Sequence, residues 1–334
     1  MRCAYLAFTE KGLALARRLA KTLPGSVSRC GAGEGRVSLA DWTAAQFARS
    51  EALVFVGAAG IAVRAIAPHC RSKVADPAVV VLDECGRFAI PLLSGHLGGA
   101  NALAAQLAAA CGAVPVITTA TDANGLFAVD SWAKANGCAV LEPERIKHVS
   151  GALLAGETVY YASDFDITGT PPRGVGMAGA GQTPDFVLTL APGKAAPAAL
   201  HLVPKIAVLG VGCRRGTDAA QLEAAFAAFC ACYGLAPAGI TAAASIDLKQ
   251  NEPGLAAFCA AHGWPVTFYT AEELRGTPGE FTPSAFVARV TGVDNVCERA
   301  AVRAAGGPLV CPKLAGGGVT LALAARPFAP DWRK

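Results

Sequence analysis

The sequence predicts an α/β protein: two α/β domains with mostly parallel sheets, joined by a small middle region. Three observations predict it. Apolar segments such as "CAYLAF", "ALVFVGA" and "KIAVLGVG" run without polar alternation and end at Gly or a polar turn, as strands buried on both faces do. They alternate with Ala- and Leu-rich segments of helical length, the order of a parallel sheet covered by helices. The alternation lapses over 131–202, where "GTPPRGVGMAGAGQTP" and "APGKAAPAAL" crowd Gly and Pro together, and it resumes near residue 205. The expected divisions are therefore 1–130, 131–202 and 203–334.

Taken in order, "CAYLAF" is the first strand and "GLALARRLAKTL" a helix that ends near Pro24-Gly25. "ALVFVGA" is a strand, and "VVVLDECGRFAIPLL" reads as two strands about a Cys-Gly turn. A helix then runs through "ANALAAQLA" to Gly112, and "AVPVITT" follows as a strand. In the middle region only "ETVYYAS" and "DFVLTL" read as short strands. Beyond it come the amphipathic helix "DAAQLEAAFAAFCACYG" and the strand "ITAAASIDL". The helix "NEPGLAAFCAAHG" has Asn251 as its expected N-cap, Pro253 in its first turn and Gly263 past its end. "PVTFYT" is a strand, "NVCERAAVRAAG" a helix and "GGGVTLALAA" the last strand.

Length and composition exclude several classes. The chain of 334 residues is long enough for about two domains. Hydrophobic residues make up 53% and charged residues 16%, which suits large cores and argues against disorder. A net charge of +4, with no basic run interleaved with aromatics, does not point to nucleic acid. The stretches from Arg87 to Asp122 and from Glu223 to Asp247 carry no charged residue between their ends, yet Pro and Gly interrupt both. Neither contains the run of roughly 20 apolar residues that a spanning helix needs. No signal peptide is evident, and the 12 cysteines form no CxxC pair, so a cytoplasmic protein with reduced, structural thiols is expected. The apolar excess is compatible with a homodimer.

Four polar turns follow apolar strands and are the places to look for chemistry: Ser94-Gly95-His96, Cys213 to Thr217, Ser245 to Lys249, and Pro312 to Gly316. In open α/β sheets ligands lie outside the carboxyl ends of strands, and helix N-termini there offer N–H groups to anions. "GVGCRRGT" matches neither a dinucleotide loop nor a P-loop. Its paired Arg214 and Arg215 suit carboxylates, which a guanidinium binds bidentately, although a solvated Arg at a helix start is the plainer reading of either. His96 sits between glycines in a turn that feeds a helix, and its imidazole can act as acid or base near neutral pH. Ser94 lacks the G-x-S-x-G setting of a nucleophile. Glu252 reads first as a carboxylate favoured by a helix dipole and second as an acid/base. Asp122 and Asp130 read as turn and cap residues, and His69, His148, His201 and His262 as surface or cap residues.

As an ordered set, "GAAGIAVRAIAP", "PLLSGHLGGANALA", "TTATDANGLFAVD", "GVGCRRGT", "ASIDLKQNEPGL" and "TGVDNVCERAAV" resemble the cobalamin-biosynthesis CbiG family, the cobalt-precorrin-5A hydrolases of the anaerobic pathway. The likeness runs from about residue 50 to 325 and is weak over the first 45 residues and over 165–200. It implies an N-terminal, a middle and a C-terminal region. It also implies a reaction: the δ-lactone of a ring-contracted cobalt tetrapyrrole is opened with water, and the old bridging carbon leaves with its methyl group as acetaldehyde. Cobalt-precorrin-5A is then the substrate and cobalt-precorrin-5B the product. Cobalt is carried by the substrate, and no resident cofactor or protein-bound metal is implied. Neighbouring enzymes of the same pathway become expected transient partners.

Residue type and turn position, rather than the resemblance, suggest the roles. His96 is the expected acid/base, Asn101 or amides near Gly98 the oxyanion donors, and Glu252 a second acid/base. Ser94, Gly95, Gly98, Gly99, Arg64, Cys213, Arg214, Arg215, Thr217, Lys249 and Lys313 form the expected substrate-binding set. A large flat macrocycle calls for a wide cleft between domains. Two other readings stay open: a tetrapyrrole carrier without chemistry, and a phosphosugar-binding α/β protein.

Overall fold

A computed structural model describes residues 2–72 and 75–334. The chain divides into two compact units, 1–131 with 153–155 and 132–152 with 156–334. Apart from residues 131 and 153–155, the expected middle and C-terminal regions fall in the second.

The first unit is a six-stranded sheet in the order β2-β1-β3-β4-β5-β6, formed by Cys3–Ala7 (β1), Gly25–Arg29 (β2), Ala52–Val56 (β3), Ala78–Leu82 (β4), Phe88–Leu93 (β5) and Val114–Pro115 (β6). β1, β3 and β4 are buried at every residue, because helices cover both faces of the sheet. Helices Glu10–Thr22 and Ala100–Cys111 close one face through Leu13, Leu19, Leu103 and Leu107. On the other face Trp42, from helix Leu39–Arg49, and Ile66, from helix Ala59–Ile66, pack with Phe55 and Val81. The Thr9 hydroxyl caps the first helix by accepting the Gly12 N–H at 3.0 Å.

Strand direction decides where this unit can bind. β1 to β4 are parallel, but β5 returns antiparallel to β4 and places Leu93 beside Val79, near the start of β4. β6 is parallel to β5. The carboxyl ends of β5 and β6 therefore lie at the edge where β1, β3 and β4 begin. The expected strand "AVPVITT" is ordered as β6 over two residues only. Pro115 supplies no N–H, and after the Val116 N–H bonds Ala89 at 2.8 Å the chain turns away.

The second unit contains two five-stranded sheets. Cys138–Val140 (β7), Val159–Ser163 (β8), Val175–Met177 (β9), Phe186–Leu188 (β10) and Leu200–Pro204 (β11) order as β7-β11-β10-β8-β9. The Gly- and Pro-rich region thus holds a full sheet rather than two strands, since its pieces are too short to show a period. Ala207–Cys213 (β12), Ile240–Ile246 (β13), Val266–Tyr269 (β14), Leu309–Gly316 (β15) and Val319–Ala325 (β16) order as β14-β13-β12-β16-β15. The expected polar turn Pro312 to Gly316 lies inside β15 and pairs with β16. Phe226, Phe229 and Phe258, from helices Ala219–Tyr233 and Pro253–Ala261, fill one face of this sheet. Helix Cys297–Ala305 crosses the other face against Gly210, where a Cβ would sit 1.8 Å from the Cys297 carbonyl oxygen. At the chain end Trp332 stacks on Trp132 with centroids 4.7 Å apart. The expected N-cap Asn251 gives way to Glu252, because Pro253 at the first helical position holds the residue before it extended (φ −84°, ψ 108°). Among the described residues no helix is long and apolar enough to cross a membrane.

Candidate active site

The turn after β5 is built around its own backbone. Ser94 is the non-glycine residue with positive φ (57°) among those described, and its hydroxyl donates to the Asp76 carbonyl at 3.0 Å. A Cβ on Gly98 would lie 2.2 Å from the Ser94 Cβ, and Gly99 opens the helix in the left-handed region (φ 88°). These glycines serve the turn itself. The first helical amides are not bare: Ala100 N–H donates to Ser94 O at 3.1 Å and Asn101 N–H to Gly95 O at 3.0 Å. The Ser94 hydroxyl proton is thus engaged in holding the turn.

The turn delivers His96 to two carboxylates. Its Nε2 lies 2.7 Å from Asp122 Oδ2 and its Nδ1 3.2 Å from Asp130 Oδ1. Both ring nitrogens face anions, so the imidazolium, with two N–H donors, is the fitting form. The bond to Asp130 first, opposed by burial and helped by the bond to Asp122, pushes the His96 pKa up to about 9. With both ring nitrogens paired to carboxylates, His96 holds its proton at neutral pH rather than exchanging it there. Asp130 and Asp122 thus do more than turn a chain, and sequence reading missed both.

Asp122 is the focus of the network. Its Oδ2 accepts from His96 Nε2, from Asn101 Nδ2 at 3.0 Å and from the Thr119 hydroxyl. Its Oδ1 has no partner among the described residues, and the side chain is 38% exposed. Burial acts to raise its pKa, but the bonds from Thr119, His96 and Asn101 outweigh that and hold the carboxyl below its ordinary range. Asn101 is buried, and its second Nδ2 hydrogen goes to Thr119 Oγ1 at 2.9 Å. Both amide hydrogens are engaged in holding Asp122, which leaves none for a substrate oxyanion.

A second cluster forms in the second unit, at the carboxyl ends of β12 and β13. Glu252 Oε2 accepts the Gly216 N–H at 2.9 Å and Oε1 the Lys249 ammonium at 3.0 Å. The Gly216 bond first, then Lys249, hold its carboxyl below the ordinary range, so it is an anion that shapes the arginine turn. Thr217 donates its hydroxyl to the Arg214 carbonyl at 2.8 Å, and burial raises the Cys213 thiol so that it stays protonated. Arg214 and Arg215 are exposed. Glu252→Ala is expected to cost about 1–3 kcal/mol, because the Gly216 N–H and Lys249 lose their acceptor; chemical denaturation measures it, and Glu252→Gln recovers part.

The remaining expected residues divide between the units. Arg64 is exposed on helix Ala59–Ile66 of the first. Lys313, in β15, donates its ammonium to the Thr282 carbonyl at 3.0 Å, which makes it a brace. His201, read as a surface residue, is 3% exposed and bonds Glu142 at 2.9 Å. Cys70, Cys85 and Cys232 are exposed, whereas Cys3, Cys138, Cys259, Cys297 and Cys311 are buried.

Three regions of the chain match known families. Residues 41–122 match the cobalamin synthesis G N-terminal family, 127–178 the cobalamin biosynthesis central region and 207–324 the cobalamin synthesis G C-terminus. A Salmonella typhimurium protein named cobalt-precorrin-5A hydrolase is 36% identical, the match covering 96% of each chain. One of the same name from Priestia megaterium is 30% identical over 84% of this chain and 80% of its own. A solved structure of a cobalamin biosynthesis protein G homolog from Sulfolobus solfataricus is 21% identical, with a TM-score of 0.42, over 98% of this chain and 97% of its own. The chain belongs to the cobalamin synthesis G (CbiG) family.

Proposed function

We propose that this chain is a cobalt-precorrin-5A hydrolase: it opens the δ-lactone of the cobalt tetrapyrrole with water and releases acetaldehyde, leaving cobalt-precorrin-5B. Membership of the family and the names of its relatives support the substrate. One geometric observation supports the chemistry. Three donors fix Asp122 through Oδ2, and Oδ1 stays open.

In this reading Asp122 Oδ1 takes a proton from the water that attacks the lactone carbonyl. Collapse of the tetrahedral intermediate frees the carboxylic acid and leaves an alkoxide on the two-carbon unit. The alkoxide forms the C=O of acetaldehyde as its bond to the macrocycle breaks. The released electron pair stays on the ring carbon, which takes back the proton from Asp122. One hydrogen of water ends on the macrocycle, the other leaves with the new carboxyl group, and no oxidant is needed. The His96 cation holds Asp122 in place and offsets the negative charge that builds during attack. Asn101 and Thr119 position Asp122, and Asp130 keeps His96 charged. Arg214 and Arg215, exposed on the second unit, suit carboxylates. Cobalt enters as part of the substrate, and the proposal adds no resident cofactor. A cytoplasmic location, a homodimer and transient contact with neighbouring pathway enzymes complete it.

The test is anaerobic incubation of purified protein with cobalt-precorrin-5A, reading acetaldehyde and corrinoid mass. Acetaldehyde equal to substrate consumed over many turnovers is expected. Tight binding of the intact lactone without acetaldehyde would leave a carrier instead.

A further inference from the structure

The carboxylate that faces His96 Nδ1 sits in the first turn of helix Val129–Ala135. Asp130 is buried, and its Oδ1 accepts the Ser131 N–H at 3.1 Å while facing the imidazole at 3.2 Å. The start of the helix therefore sets its aim. Trp132 lies two positions on, and residues so spaced leave a helix on different sides. Its indole is gripped there by a strap, segment 330–332. Trp132 Nε1–H donates to the Asp331 carbonyl at 2.9 Å, and Trp332 stacks on the indole. Asn136, just past the helix, clips the same strap. Its Oδ1 accepts the Asp331 N–H at 2.9 Å, and its Nδ2 donates to the Asp331 carbonyl at 3.2 Å and to the Trp132 carbonyl at 3.0 Å. The strap is itself anchored beside β8. Thr168 N–H donates to the Pro330 carbonyl at 2.8 Å, Trp332 N–H donates to the Thr168 carbonyl at 3.0 Å, and Tyr161 meets the Trp332 ring edge-on at 4.9 Å. Trp132, Asn136 and Trp332 are all buried.

We propose that Trp332 is a positioning residue for Asp130: through Trp132 and Asn136 the strap fixes the helix that aims this carboxylate at His96. A contact of 3.2 Å lies at the long end of the hydrogen-bond range, so a small rotation of the helix breaks it. The strap resists that rotation in two ways. A ring-on-ring stack opposes turning, and bonds to both the N–H and the carbonyl of Asp331 oppose sliding. Asp122, the other charged group that faces His96, is held independently by Thr119 and Asn101. The inference rests on the role proposed above for Asp130 and adds what keeps that carboxylate in place.

The test titrates the His96 Cε1–H resonance of the full chain by NMR, without substrate. Its loss in His96→Gln identifies it among the five histidines. The wild-type midpoint is expected at about 9. Trp332→Ala is expected to lower it by at least about half a pH unit, part of the roughly 1–3 that a neighbouring carboxylate gives. Trp332→Phe keeps a stacked ring and is expected to restore it. Asn136→Ala removes the clip with less loss of core and is expected to lower it too, so the test stands even where Trp332→Ala fails to fold. In an Asp130→Asn background Trp332→Ala should change nothing further. Phe258→Leu loosens the core away from the strap, so it should lower the thermal midpoint and leave His96 unmoved. A His96 midpoint unmoved in Asn136→Ala and in any folded Trp332→Ala overturns the strap, as does an equal fall in Phe258→Leu or a further fall on top of Asp130→Asn. The alkaline limb of acetaldehyde release should move with the His96 midpoint. The resonance itself needs no substrate, so failure of the strap and failure of the hydrolase reading remain distinct results.

Discussion

Asp122→Asn is expected to lower turnover about 10²–10⁴-fold, the usual contribution of a positioned acid/base group. The amide keeps the shape, so Thr119 and Asn101 still pack around it, but it cannot take the proton of water. Acetaldehyde release under saturating substrate measures the loss. Substrate affinity should hardly move, because the role proposed for Asp122 is to take a proton rather than to hold the substrate. His96→Ala should also lose turnover, by a smaller factor, since Asp122 keeps two of its three donors. Full activity in Asp122→Asn would remove Asp122 as the base, and full activity in His96→Ala would remove the cation from the mechanism.

The pH profile gives the same network a sign. The His96 pKa rises from 6.5 to about 9 on folding, so the stabilisation from its ion pairs is complete below about 6.5 and disappears as pH climbs through about 9. Activity that depends on the cation should fall over the same alkaline range. Asp122 acts in the opposite direction. Its carboxyl is held below its ordinary range, and its contribution is lost only as the medium becomes strongly acidic. Asp130→Asn removes the largest cause of the raised imidazole and should move the alkaline limb to lower pH. An unmoved limb would assign it to another group.

Gly210→Ala is the substitution expected to damage the fold most. The added methyl would sit 1.8 Å from the Cys297 carbonyl oxygen and 2.9 Å from the Ala301 Cβ. Both belong to a helix packed on β12, so backbone must move, and the cost should exceed the about 1–3 kcal/mol typical of overpacking. Soluble yield and the thermal midpoint measure it. Gly316→Ala, where the methyl meets nothing, serves as the neutral control.

The strands of the first unit were legible because burial on both faces requires unbroken apolar runs, and "CAYLA", "ALVFV" and "AVVVL" are such runs. Their helices were legible where Ala and Leu run long, as in Ala100–Cys111. The sheet within 138–204 was not, because strands as short as Cys138–Val140 or Val175–Met177 carry no readable period. In the site, His96 stood out by its turn, whereas Asp122 looked like one more turn residue.

The sequence by itself determined the α/β class, the turn that carries His96 and the family, since each is written in local runs of residues. Only the tertiary structure decided what His96 is. The reversal at β5 brings Asp122, 26 residues away in the chain, to 2.7 Å from one ring nitrogen, and Asp130 to 3.2 Å from the other. A proton's affinity depends on the charges within a few ångströms in space, and separation along the chain does not record that distance.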